Sequence, residues 1–157
     1  MTPEPLQTSQ GYEEPFSAQF SVFLANRVGQ LKELLNLMAE KAVEVLGVSV
    51  VDSSDWAVIR LVFSEPDKAR EVLKSHGLPF TESQVLLAEL ADKAALSEIC
   101  GHLLRAEINV HFAYPLIGRR DAEPVMVLHV DDPVLATHLL TSHGIRLLGS
   151  EDLADPT

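Results

Sequence analysis

Six histidines are the residues of this sequence best able to hold a metal ion. His76 and His143 each stand in a Ser-His-Gly triplet, which favours a helix end, where the helix dipole stabilises a protonated imidazole. His111 and His129 fall on two strands predicted to be neighbours, so their side chains can approach each other. No carboxylate or thiol stands at ligand spacing from them, so we predict no metal site and no cofactor.

Cys100 is the single thiol, so no intrachain disulfide is expected. It falls on the apolar side of a predicted helix, where it is expected to be a buried filler, because no histidine is placed to activate it. We therefore predict no catalytic residue and no enzymatic activity. A single cysteine also indicates a reducing compartment, and we predict a cytoplasmic protein.

The turn Asn26-Arg27-Val28-Gly29 has residue types that can meet a carboxylate. Arg27 can form a bidentate contact with that group, and it is equally suited to a solvated turn. Asn26 can contact the same ligand, or it can cap the turn through its own side chain. The sequence leaves these alternatives open.

The charge balance excludes several classes of partner. The chain of 157 residues has 23 acidic and 12 basic residues, a formal charge of −11. Nucleic acids and anionic membranes require a basic surface, so neither is a predicted partner. The apolar runs are too short for a membrane span, and the first residues have no signal-peptide pattern.

The chain contains an internal repeat. Pro66 and the Ser-His-Gly triplet at Ser75 recur 67 positions later, and the apolar pattern that begins at Leu31 recurs 65 positions later from Leu96. Such self-similarity predicts two small domains of the same fold. Two extra residues enter the second copy in the stretch 115–123.

Each copy has the predicted element order βαββαβ. In the first copy an alternating strand precedes a helix, two strands flank the Asp52–Asp55 turn, and a second helix ends at Gly77. The hydroxyl of Ser64 is expected to cap that second helix. The stretch from Phe80 to Leu90 is expected to end one copy and begin the next.

This order predicts an α+β protein with two tandem ferredoxin-like domains. Each domain has a four-stranded antiparallel sheet with both helices on one face. We predict a flexible tail over 1–17, a first domain over 18–84 and a second over 85–153. The last residues, Glu151–Thr157, resemble the tail in composition.

The sequence resembles the ACT domain family of small βαββαβ modules that bind amino acids. The run from Asn26 to Leu31 is similar to the family's Asn-Arg-Pro-Gly-x-Leu turn, and Glu65–Ala69 and Asp131–Pro133 are similar to its Asp-Asp-Pro-x-x-Ala motif. The resemblance covers about Gln19–Leu153 as two copies. It is closest to stand-alone tandem ACT proteins of bacteria.

The resemblance implies a ligand site where the first strand meets the first helix, at an interface between ACT domains and opposite the second strand. A helix N-terminus offers free N–H groups and a positive dipole end to a carboxylate, and a glycine allows close approach. The implied ligand residues are Asn26, Arg27, Val28, Gly29, Gln30, Leu31, Ser49 and Val50.

The second copy departs from the family pattern in the same loop. It has neither proline nor glycine there and is one residue shorter, whereas in the first copy only the proline is replaced, by Val28. We expect the first copy to bind ligand and the second to support packing. A second or shared site remains open, and its residues are Asp92, Lys93, Ala94, Ala95 and Leu96.

Three functional hypotheses follow. The first is a non-catalytic amino-acid sensor that forms a homodimer and regulates a metabolic enzyme in trans. The second is a ligand-free structural or regulatory subunit of an amino-acid biosynthetic enzyme such as acetolactate synthase. The third is a small acylphosphatase-like hydrolase, because one fold can host several functions.

Overall fold

The computed structural model describes residues 16–25, 29–52, 55–117 and 122–154. The chain divides into two compact units. The first unit holds residues 18–83 with Leu116 and Ile117, and the second holds residues 84–115 and 122–154 with Phe16 and Ser17. The elements in chain order are β1 (Ser17–Ala25), α1 (Gln30–Glu40), β2 (Val45–Asp52), β3 (Trp56–Phe63), α2 (Pro66–Ser75), β4 (Phe80–Glu89), α3 (Ala95–Arg105), β5 (Val110–Pro115), β6 (Val125–Val130), α4 (Pro133–Ser142), β7 (Leu147–Leu148) and α5 (Ser150–Ala154).

In the first unit, β1 lies inside the sheet. It pairs antiparallel with β3, where Val22 is opposite Ile59, and β2 pairs with the other edge of β3. On the far side of β1, the N–H of Phe23 donates to the carbonyl oxygen of Pro79, directly before β4, at 2.9 Å. The strand order β4-β1-β3-β2 is that of a split βαβ fold.

The second unit has the same strand order, β7-β4-β6-β5. Ala88 of β4 is opposite Met126 of β6, and Tyr114 of β5 is opposite Val127. β4 is one continuous strand whose first residues belong to the first unit and whose remainder belongs to the second. The prediction of two antiparallel ferredoxin-like βαββαβ units is therefore confirmed.

Each sheet has both helices of its unit on one face. Fully burying one leucine or isoleucine contributes roughly 1.5–3 kcal/mol, so the apolar face of each helix holds its unit together. The first core contains Phe20, Val22 and Leu24 of β1, Leu34 and Met38 of α1, and Ala69 and Leu73 of α2. The second contains Leu86 and Ala88 of β4, Ile99 and Leu103 of α3, and Ala136 and Leu140 of α4.

The Ser-His-Gly triplets end α2 and α4 in the same way. The imidazole Nδ1 of His76 donates to the carbonyl oxygen of Val72 at 3.0 Å, and that of His143 donates to Leu139 at 2.9 Å. The glycine that follows has a positive φ, 65° at Gly77, which only glycine adopts without strain. The repeated triplet is thus a helix-capping device.

The hydroxyl of Ser64 does not cap α2, so that prediction was wrong. It accepts the N–H of Glu44 at 3.1 Å, and the Ser64 N–H donates to the Glu44 carbonyl oxygen at 2.9 Å. The residue at the cap position is Glu65, which makes no side-chain capping bond. Asp131 and Asn109 make the equivalent backbone and side-chain contacts in the second unit. These pairs tie the start of a helix to the start of a strand.

Both ends of the described chain are more ordered than the sequence indicated. Ser17, which was assigned to the tail, begins β1 and is 2% exposed, and Phe16 packs on the second core. Residues 1–15 lie outside the described residues. The expectation that Glu151–Thr157 resembles the tail was wrong as far as Ala154, because α5 forms there. The Asp152 carboxylate accepts the backbone N–H of Gly149, directly before this helix, at 2.7 Å.

Cys100 is exposed, so its prediction as a buried filler was wrong. The buried residues of α3 are Ala95, Ile99 and Leu103, spaced four apart. Cys100 follows Ile99 by one position, which turns it about 100° around the helix axis and away from the core.

Among the residues that the structure describes, no helix is long and apolar enough to cross a membrane.

Candidate ligand site in the first unit

A cavity of about 310 Å³ opens between the two helices of the first unit, at the end of β1. Its volume is at the lower end of the roughly 300–1,000 Å³ that small-molecule sites occupy. The N-terminal half of α1 and the C-terminal end of α2 form its walls. The lining residues are Leu24, Gln30, Glu33, Leu34, Leu37, His76 and Leu78.

The inner part of the cavity is made of leucine side chains. Leu24 at the end of β1 and Leu34 of α1 are buried, and Leu37 and Leu78 are partly buried. Leu78 is held in place by its N–H, which donates to the carbonyl oxygen of Leu73 as the chain leaves α2. This part of the cavity can receive an apolar group.

The polar side chains lie on the outer part. Gln30 and Glu33 are three residues apart on α1, so they share a face of its first turns. His76 reaches the same space from the end of α2 and uses its Nδ1 on the carbonyl oxygen of Val72. Its Nε2 is therefore the ring nitrogen left for a ligand.

Gly29 shapes the approach to α1. It adopts φ 90° and ψ −12°, a left-handed conformation, and the space where a Cβ would stand is open to 4 Å. Its carbonyl oxygen accepts the N–H of Glu33 at 3.0 Å and so starts the helix. No side chain in the described part of the chain caps α1. The first N–H groups of the helix, at Gln30 and Leu31, have no intrahelical partner.

The other predicted ligand residues are placed differently. Asn26, Arg27 and Val28 lie outside the described residues. Ser49 and Val50 are on β2, opposite Arg60 and Ile59 of β3, and they point to opposite faces of the sheet. Of the predicted set, the cavity lining includes Gln30.

Equivalent positions in the second unit follow from the strand pairing. In the first unit Val22 lies opposite Ile59, and in the second unit Ala88 lies opposite Met126. Val22 and Ala88 are therefore equivalent, and the first strands of the two units are 66 positions apart in the sequence. The helices α1 and α3 match with an offset of 65, because Leu34 and Met38 correspond to the buried Ile99 and Leu103. The connection between strand and helix is therefore one residue shorter in the second unit.

In the second unit a carboxylate of the protein itself bonds to the amide directly before the helix. Asp92 accepts the N–H of Ala94 at 2.8 Å through its side chain, and its carbonyl oxygen accepts the N–H of Ala95 at 3.3 Å. Ala95, which replaces Gln30, is buried in the core, whereas Leu96 and Lys93 are exposed. The Asp92 side chain thus engages the amide directly before α3, where the first unit has Gly29.

Two histidines stand at the positions that correspond to Leu37 and His76 of the cavity lining. His102 replaces Leu37, and its ring stacks on His143, the counterpart of His76, with 3.8 Å between centroids. Nδ1 of His102 lies 2.8 Å from a guanidinium nitrogen of Arg105. The pKa of His102 lies below its ordinary value because of desolvation, then the charges of His143 and Arg105.

The remaining histidine pair does not form a metal centre. The rings of His111 and His129 approach to 5.3 Å between centroids, as predicted, and Phe112 stacks on His129 at 4.6 Å. In the described ranges, no group of three or more histidine, cysteine, aspartate or glutamate side chains is arranged to hold a metal ion.

Sequence reasoning missed most of the cavity. Of its seven lining residues the sequence predicted Gln30 as a ligand residue, and it did not single out the four leucines, Glu33 or His76 for this role. One signal was available: aligning the two copies sets Leu37 against His102, an apolar residue against a polar one at a helix position that faces its neighbour.

Comparisons with known proteins give a family and a fold. A family model for an ACT domain pair matches residues 17–155. No curated protein matches the chain.

Several solved structures have the same fold. Protein BT0572 from Bacteroides thetaiotaomicron is 21% identical, with 89% of this chain and 96% of that chain covered and a TM-score of 0.79. The ligand-free regulatory subunit of aspartate kinase from Thermus thermophilus is 10% identical, with 82% and 93% covered and a TM-score of 0.57. The aspartokinase alpha and beta subunits are 16% identical over the same shares, with a TM-score of 0.54. At these identities the likeness shows the fold alone.

Proposed function

The chain belongs to the ACT domain family, with a pair of ACT domains over residues 17–155, and we propose that it is a non-catalytic regulatory protein that binds a free amino acid. The observation that carries this proposal is the cavity of about 310 Å³ where β1 meets α1 in the first unit. At the corresponding positions of the second unit, the Asp92 carboxylate bonds to the N–H of Ala94, and His102 stacks on His143. We therefore assign ligand binding to the first domain, 18–84, and packing to the second, 85–153.

The amino acid's carboxylate belongs at the start of α1. The N–H groups of Gln30 and Leu31 point out of the helix, and the dipole favours an anion there. We propose that Asn26, Arg27 and Val28 complete this contact from the loop. The resemblance to the family supports Ser49 and Val50 of β2 as further ligand residues, and these rest on that resemblance alone.

The ligand regulates the protein if it binds one conformational or assembly state more tightly than another. It can shift the equilibrium between these states only by that difference in binding free energy. We propose a homodimer in the cytoplasm that acts in trans on an enzyme of amino-acid metabolism. A structure with this fold is the regulatory subunit of an aspartate kinase, which supports a role beside an enzyme.

The test is a thermal-shift screen of the full chain against the twenty amino acids at millimolar concentration. A ligand at 100 times its Kd stabilises the native state by about 2.7 kcal/mol, so one or two amino acids should raise the Tm. Amide chemical shifts measured by NMR should then change at Gln30, Glu33 and His76. The matched positions Glu98 and His143 serve as the internal control and should stay unchanged.

The negative outcomes separate the alternatives. No stabilisation by any amino acid would favour the ligand-free regulatory subunit, for an enzyme such as acetolactate synthase. Turnover of an acyl phosphate by the same sample would favour the acylphosphatase-like hydrolase. Shifts centred on Glu98 and His143 would move the site to the second unit.

A further inference from the structure

The cavity of the first unit changes in character along one face of α1. Gln30, Glu33, Leu34 and Leu37 follow the spacing i, i+3, i+4, i+7, so they lie in a row along the helix. The row is polar near the helix N-terminus and apolar one turn further on. A bound molecule must therefore be polar at one end and apolar at the other.

We propose that the ligand is an amino acid with an aliphatic side chain of three or four carbons, whose ammonium group pairs with Glu33. This inference rests on the proposed function, because it concerns the same site. The side chain lies against the leucines, which come from three separate elements: Leu24 from β1, Leu34 and Leu37 from α1, and Leu78 after α2.

The apolar end of the cavity selects against polar side chains. A hydroxyl, amide or charged group placed against four leucines loses its water and gains no partner. An aliphatic chain placed there is removed from water, and each buried methylene tightens binding about fourfold.

The carboxylate of Glu33 selects for an ammonium group. It lies at the mouth of the cavity, and in the described part of the chain it makes no ion pair. An ammonium beside it forms a charge-assisted contact, whereas a ligand with a second carboxylate is repelled. Aspartate and glutamate are thereby excluded.

The experiment is isothermal titration of the full chain with a straight-chain series: alanine, 2-aminobutyrate, norvaline and norleucine. We expect the Kd to fall about fourfold with each added methylene. Hexanoate, which has the chain of norleucine without its amino group, should bind at least tenfold more weakly. In Glu33→Gln this preference for norleucine should disappear, and in the matched variant Glu98→Gln it should persist.

The outcomes distinguish the ligand class from the function itself. A flat series, or tighter binding of serine, aspartate or lysine, overturns the aliphatic assignment and leaves an amino-acid site standing. Unchanged preference for norleucine over hexanoate in Glu33→Gln overturns the role of Glu33. Failure of every amino acid to bind overturns both this inference and the proposed function.

Discussion

The two units of this protein are built alike at their cores and differently at one end. Both bury the same strand and helix positions, and both end their second helix with a histidine and a glycine in the same geometry. At the junction of the first strand and first helix, Leu37 and His76 line a cavity in the first unit, whereas their counterparts His102 and His143 stack on each other. The residues that fold the repeat correspond in type, and the cavity lining changes in polarity or size at Gln30 and Leu37, whose counterparts are Ala95 and His102.

A small number of changes accounts for the difference. The loop of the second unit is one residue shorter, and the Asp92 carboxylate bonds to the N–H of Ala94, directly before α3. The counterpart of Leu37 is His102, which stacks on the capping histidine His143. The loop and one helix position thus differ between the two units, whereas the buried core positions correspond.

The largest effect is expected from truncating corresponding core residues, one in each unit. This tests whether the two cores contribute equally to stability. Met38→Ala and Leu103→Ala remove corresponding buried side chains, and each should lower the free energy of unfolding by about 2–5 kcal/mol. Urea unfolding of both variants measures this. Leu104→Ala, at a side chain 76% exposed, is the control and should change it by less than about 0.5 kcal/mol. A near-zero cost for one core variant would show that its unit does not unfold with the other.

The second effect is closure of the cavity by the residue that the second unit uses. In Leu37→His the new imidazole should stack on His76 as His102 stacks on His143. Affinity for the amino acid should fall roughly sixtyfold, since about three buried carbons each contribute about fourfold. Titration calorimetry measures the loss, and Leu37→Met should retain binding. Unchanged affinity in Leu37→His would separate the ligand site from this cavity.

The fold was predictable because its signals are local, whereas the cavity is a property of two helices together. Leu34 and Met38 reveal the buried face of α1 by their spacing alone. Whether a cavity remains beside Leu37 depends on the side chains at the facing end of α2, His76 and Leu78. The residue pattern of α1 alone does not contain that information. The error at Cys100 has a related cause, because one position along α3 separates core from solvent. Ser64 has the right residue type for a helix cap, but its hydroxyl accepts the N–H of Glu44, directly before β2, instead of an N–H of α2.

The third effect concerns a feature that both units share at the end of their first helices. Ala42 and Glu107 adopt φ values of 58° and 57°, a left-handed conformation that strains residues other than glycine. Ala42→Gly and Glu107→Gly should each raise the free energy of unfolding by about 0.5–1 kcal/mol. Ala39→Gly, inside α1, is the control and should lower it by about 1 kcal/mol. Stabilisation in one unit alone would show that the helix ends are less alike than their backbone angles.

The smallest effect is expected from the stacked histidines, which only the second unit has. The pKa of His102 is lowered in the folded protein by desolvation and by the charges of His143 and Arg105, so the unfolded chain binds its proton more readily. The free energy of unfolding is therefore higher above the ordinary histidine pKa of about 6.5 than below it. It falls as the pH drops and the unfolded chain takes up this proton first. Because the pair is exposed to solvent, the change should be small.

Urea unfolding at pH 7.5 and pH 5.5 measures this loss. His102→Leu installs the residue of the first unit and should lose less stability over that interval than the unmodified protein. His138→Gln, at an exposed position on α4, should behave like the unmodified protein. If His102→Leu and the unmodified protein lose stability equally, the stack carries no proton-linked energy. The stacked pair His102 and His143 would then differ from Leu37 and His76 of the first unit in packing alone, and it would add no sensitivity to pH.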